Sequence, residues 1–119
     1  MPIDKNKLPF TPKGFSKTIV KRVYQVGSGG KQQDIVLEVG RPVQDVITVD
    51  ETDWRCPIKL TFGKRVIENQ AIGVDSFQAL QLAIDQLVEI ELKAISRETG
   101  EDITFFGEKV AGIKNRWSQ

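Results

Sequence analysis

Between Trp54 and Phe62 apolar and polar residues alternate without a break. Trp54, Cys56, Ile58, Leu60 and Phe62 share one face; Arg55, Pro57, Lys59 and Thr61 share the other. A period of two belongs to an extended chain, so this stretch predicts a strand with one face on a core and one toward water. Pro57 has no amide hydrogen for a ladder, which predicts an edge, a bulge or a strand start there. Gly63-Lys64 suits a tight hairpin turn, and Arg65 to Val74 returns antiparallel. Upstream, Lys17 to Val26 is rich in β-branched residues and stops at Gly27-Ser28-Gly29-Gly30. Asp34 to Val39 is the returning strand, with Ile35, Leu37 and Val39 on one face before Gly40 and Pro42 end or bend it. A short extended piece follows at Val46 to Val49, and Ile103 to Phe106 predicts a last strand.

From Ser76 to about Thr99 the period changes. No Pro or Gly interrupts this run, and Gly100 stands where a left-handed C-terminal cap belongs. At 100° per residue Phe77, Leu80, Ala83, Ile84, Leu87, Val88, Ala94 and Ile95 form a stripe, which Ile90 and Leu92 widen. The stripe exceeds what a helix on a sheet requires, so the helix is expected to lie across the sheet and to be touched by terminal segments as well. Glu91 falls inside the stripe and is expected to be a boundary carboxylate. The expected fold is α+β: a curved antiparallel sheet of four to six strands with one long amphipathic helix, about 76–99, packed on one face. Its expected core takes Ile19 or Val20 with Val23, Ile35 and Leu37 from the first strands. Trp54, Cys56, Ile58, Leu60, Phe62 and Ile67 come from the hairpin, and Phe77, Leu80, Ile84, Leu87, Val88 and Ile95 from the helix.

Composition adds limits. At 119 residues, 39% hydrophobic and 28% charged, the chain is ordinary globular material for a single domain. It holds no His and one Cys, which excludes Ser-His-Asp and Cys-His units, His-bearing metal sites and an internal disulfide. A lone Cys favours a reducing, cytoplasmic setting, and Cys56 on the core face is expected to be inert. No apolar run is long enough to cross a membrane. The net charge of +1 conceals an asymmetry: Met1 to Arg22 carries six basic residues against Asp4, and the remainder is acidic on balance. Residues 1–15, broken by Pro2, Pro9, Pro12 and Gly14, are expected to be a flexible basic lead-in; 16–107 form the domain, and 108–119 a polar tail in which Trp117 could anchor.

Two motifs carry resemblances. Gly73-Val74-Asp75-Ser76-Phe77 resembles the Gly-x-Asp-Ser-Leu core of acyl and peptidyl carrier proteins, which would make Ser76 a phosphopantetheine attachment site. Carrier proteins are helical bundles, whereas a hairpin precedes the motif here. Local physics accounts for the same residues: Asp75 as N-cap accepts from the Gln78 amide, Gln78 reaches back, and Gly73 permits the turn from strand to helix. Gly27 to Lys31 resembles a phosphate loop but lacks its flanking residues and a following helix. Trp54-x-Cys56, a hairpin and then G-V-D-S-x-Q-A-L from Gly73 to Leu80 together resemble a family of small bacterial domains of unknown function, over roughly Ile19 to Phe106. That resemblance implies a small bacterial α+β domain and no activity.

Function is therefore expected in binding. The leading expectation is a non-enzymatic protein-interaction module, an inhibitor or immunity-type partner, with no cofactor, metal or catalytic residue and with a protein partner. Its candidate surface is the basic row Arg55, Lys59 and Arg65 with the acidic turn Asp50, Glu51 and Asp53. The alternatives are a regulatory or nucleic-acid binder using the basic N-terminal arm, which lacks a stacking platform, and a carrier modified at Ser76. Exposed Leu82, opposite the main stripe, hints at a second contact surface, and oligomeric state stays open.

Overall fold

A computed structural model describes residues 8–27 and 29–111. The elements in order are β1 (Thr18–Val26), a 3-10 turn (Gly29–Lys31), β2 (Gln33–Gly40), β3 (Val43–Ile47), β4 (Thr52–Phe62) and β5 (Arg65–Gly73), then α1 (Ser76–Leu82), a π-helical turn (Ala83–Leu87), α2 (Val88–Thr99), β6 (Ile103–Phe105) and β7 (Glu108–Ala111). The architecture is α+β: a curled antiparallel sheet and one long helix, of which α1, the π turn and α2 are consecutive parts. The sheet has seven strands rather than four to six. The additional strand is β7, formed by residues read from sequence as the start of a polar tail and paired antiparallel to β6 across a Phe106-Gly107 turn. Trp117 lies outside the described residues.

β5 runs along one edge of β4, and β2 and β3 share the other. Residues Ile58 to Phe62 pair with Val39 to Ile35, whereas Arg55, Asp53 and Thr52 pair with Val43, Val46 and Ile47. Cys56 and Pro57 fall opposite the bend at Gly40–Pro42, where this side of the ladder is interrupted. Pro57 is tolerated in an interior strand because the neighbouring lane breaks beside it. Gly40 is required by closeness: a Cβ there would stand 2.5 Å from Ser16 Oγ and 2.8 Å from Pro57 Cγ.

The core lies between the sheet and the helix. It takes Ile35, Leu37 and Val39 of β2, and Cys56, Ile58 and Leu60 of β4, all buried, as their alternation predicts. In β1 the expectation fails, because the buried residues are Tyr24 and Val26, with Val23 half-buried on the opposite face and Ile19 and Val20 exposed. Arg22 interrupts the apolar run of the core-facing parity, so the alternation there is ambiguous. Trp54, Phe62 and Ile67 pack around the core without being buried.

The helix departs from its projection. Its buried residues are Ala79, Ala83, Val88, Leu92, Ile95 and Ser96, and the step from Ala83 to Val88 crosses the π turn. A π turn accommodates one extra residue and rotates everything beyond it by about 100° relative to an unbroken helix. Leu92 therefore moves from the margin of the stripe to its centre, while Phe77 and Ile84 are left 71% and 46% exposed.

The other face of the sheet is covered in part. Residues 8–17 cross it as a strap. Phe10 and Ile47 exchange two backbone hydrogen bonds of 2.8 Å, Ser16 Oγ donates to the Arg41 carbonyl at 2.7 Å, and the Arg41 amide donates to the Lys17 carbonyl at 2.7 Å. At its centre lies the Arg55 guanidinium, only 7% exposed. It grips Asp45 with two hydrogen bonds, 2.9 and 3.2 Å, and donates to the Gly14 carbonyl at 2.7 Å and to Gln70 Oε1 at 3.0 Å. Gln70 Nε2 donates in turn to the Pro12 carbonyl at 2.9 Å. A planar fork with five donors suits such a convergence of acceptors.

Replacing Arg55 by Ala should cost about 2 kcal/mol, less than a fully buried pair because Asp45 remains partly open to water. Urea titration checks the loss, and trypsin should cut faster at Lys13 and Lys17 as the strap is released. Cys56, whose thiol donates to the Gly40 carbonyl at 3.4 Å, is fully buried, and burial pushes it from 9.0 up to about 11. The unfolded chain sheds this proton first as pH rises, so the buried thiol's contribution is complete below about pH 9 and lost toward pH 11. At pH 10 the wild type should have lost about 1 kcal/mol more, relative to pH 8, than Cys56→Ala, as measured by urea unfolding.

Candidate functional site

The residues singled out from sequence do not form one surface. Arg55 is buried in the knot beneath the strap, so it does not face solvent; the strap covers the polar face of β4. Lys59 is 3.7 Å from Glu38 and lies over the Phe15 ring at 4.6 Å. Arg65, at the hairpin end of β5, pairs with Glu98 of α2. Asp50 and Glu51 are exposed in the β3–β4 turn, where the Thr48 amide and hydroxyl both donate to the Glu51 carbonyl, and Asp53 is half-buried in β4. Each of the three cations is thus satisfied by a different carboxylate, and the acidic turn stands apart from them.

Asp75 caps the helix, with its Oδ1 accepting from the Gln78 amide at 2.7 Å. Gln78 Oε1 accepts from the Val74 amide at 2.8 Å, so the reciprocal bond reaches one residue further back than the usual box. Gly73 has no positive φ; it is needed because a Cβ would stand 2.5 Å from the Ala79 amide nitrogen. This contact sets α1 directly against β5. Ser76 is exposed at the first helical position, but it sits at a strand-to-helix corner of an α+β domain and not in a helical bundle. Glu91 is half-buried and accepts from Asn69 Nδ2 at 2.8 Å. Among the described residues no group of His, Cys, Asp or Glu is placed to hold a metal ion, and no helix is long and apolar enough to cross a membrane.

A different region emerges from the packing. α1 sits over β4 and β5, and two hollows follow the other flank of the helix, one beside β1 and β2 and one beside the Arg41–Pro42 bend and β3. One, of about 340 Å³, is lined by Val20, Arg22, Leu37, Val39, Ile84 and Val88. The other, of about 650 Å³ and more open, is lined by Arg41, Val43, Trp54, Phe77 and Leu80 among others. Phe77, Ile84 and Val20, the last 51% exposed, make the rim apolar. Among the described residues Arg22 and Arg41 are the cations on the helix side of the linings, Lys21 borders the first hollow from the β1 edge with its side chain on the opposite face, and no carboxylate lines either hollow. Arg22 is held with its guanidinium 4.1 Å above the Phe105 ring. Sequence reasoning placed Phe77 and Ile84 in the core; the excess width of the helical stripe was the signal that they face outward.

No curated protein and no solved structure matches the chain. A family of domains of unknown function, DUF6968, matches residues 20–114, a span that takes in nearly all of β1, the other six strands and the whole helix, and begins after the strap. The chain therefore belongs to the DUF6968 family, a domain of unknown function.

Proposed function

We propose that this domain is a non-enzymatic protein-interaction module, of inhibitor or immunity type, working in the bacterial cytoplasm, and that it docks an acidic protein partner along the open flank of α1. The observation that carries this reading is Phe77, a large aromatic side chain left 71% exposed on a well-capped helix. A monomeric surface scatters single apolar residues, but Phe77, Leu80, Ile84, Val20 and Trp54 follow one line beside two hollows. Aromatic anchors at the centre of a rim of cations are what a protein partner of opposite charge uses. The inhibitor or immunity role is supported by the small size of the domain and the absence of His from the chain.

Phe77→Asp and Ile84→Ser test the reading. An acid at the second helical position suits the helix dipole, so Phe77→Asp should keep the fold, as circular dichroism would report. Affinity capture from native lysate should recover a stoichiometric acidic protein with the wild type and with a Lys64→Gln control. Both groove variants should lose it by more than about tenfold. Equal capture by all four baits, or none by the wild type, would sink the proposal.

A further inference from the structure

β1 pairs with β2 along its length, but on its other edge β6 meets it only at Gln25 and Val26. Phe106, at φ 50, and Gly107 turn the chain away, so β6 ends beside Tyr24. Among the described residues nothing pairs with the outer edge of β1 from Val20 to Tyr24. The register beyond the bulge between Thr18 and Val20 is regular there, and the edge borders the hollow that Val20, Ile84 and Val88 line.

The opposite face of the sheet shows what this edge would accept. Lys21 stands opposite Glu38, Glu38 opposite Lys59, and Lys59 opposite Glu68, a row that alternates in sign across β1, β2, β4 and β5. Cross-strand neighbours of opposite charge stabilise a sheet and like charges oppose it. The row ends on Lys21 at the open edge, and the next position outward calls for a carboxylate. A second copy adding its own β1 symmetrically would bring the basic residues Lys21 and Arg22 against the same pair. A second copy adding β5 instead would set Glu68 by Lys21, but that contact is heterologous and gives a ring or an open filament rather than a two-fold dimer.

We infer that the Val20 to Tyr24 edge of β1 receives an extended acidic segment of a partner protein by strand addition. Carboxylates of the segment meet Lys21 on one face, and β-branched residues enter the Val20–Ile84 hollow on the other. Main-chain hydrogen bonds supply affinity and the alternating side chains supply selection. This inference rests on the docking reading above and adds the mode of binding and the chemistry of the segment.

The test uses the full chain labelled with nitrogen-15 and three capped eight-residue peptides: alternating Glu and Val, the same with Lys for Glu, and the Glu peptide N-methylated at alternate amides. The Glu peptide should shift the Val20 to Tyr24 amides and slow the hydrogen exchange of those not engaged by β2, and neither control peptide should do so. Lys21→Gln should weaken the Glu peptide about fivefold, the worth of one cross-strand pair. Lys21→Glu should let the Lys peptide bind instead. Equal binding of the N-methylated peptide would overturn strand addition, as would shifts confined to other strands or no binding at all. Concentration-dependent oligomers of the unliganded chain that protect the same amides would make the occupant a second copy and also overturn it. Loss of partner capture by Phe77→Asp alongside any of these failures would leave the docking reading standing without strand addition.

Discussion

The Arg55 guanidinium holds the structure's several parts in one arrangement. It is carried by β4, the central partner of three other strands, and it reaches Asp45 of β3, Gln70 of β5 and the Gly14 carbonyl of the strap. Burying a cation is costly unless its donors are satisfied, and here four hydrogen bonds supply that satisfaction. The knot forms opposite the bend between β2 and β3, so the same few residues anchor the strap, hold β3 against β4 and stand beside the break that admits Pro57. The strap covers the middle of that face, while Val66 and Ile72 of β5 stay exposed on it, and on the other side apolar side chains of the sheet and helix emerge along the flank of α1.

Position of the helix decides how much of that flank is open. Gly73 lets α1 approach β5 to backbone contact, which draws the first helical turns toward one edge of the sheet. The π turn then rotates α2 so that Leu92 and Ile95 enter the core. Phe77, before that turn, is left beside the Arg41–Pro42 bend and β3, and Ile84, within it, beside β1 and β2. The exposed apolar line follows from the helix position and the open edge from the turn that ends β6, and the two adjoin at the hollow that Val20 and Ile84 line.

Much of the fold was legible where a single period ran uninterrupted. The alternation of β4 and of Ile35, Leu37 and Val39 identified the core face, because one residue type per face leaves one register that buries the apolar set. Asp75, Gln78 and Gly100 marked the helix ends because capping is local chemistry within a few residues. The reading weakened where two signals competed. In β1, Arg22 broke the core-facing run and the strand was assigned the wrong parity; in the helix, a projection at constant pitch took no account of the π turn. The candidate site was less legible than the fold. Arg55 was read as a surface cation because the residues that cover it lie about forty positions away in the chain, among prolines that announce no element.

Determined by the sequence itself are the core faces of β2 and β4, the helix with its caps, the chemistry excluded by the absence of His, and an apolar stripe too wide for one partner. These depend on neighbours a few residues apart, where spacing and conformation are tied directly. Tertiary structure alone decided that the strap crosses one face over Arg55, that β2 and β3 share a lane, that Arg55 is buried and Phe77 is not, and that the row from Glu68 to Lys21 ends at an open edge. Those outcomes depend on which distant segments meet, and a one-residue shift in a strand or helix exchanges inside for outside.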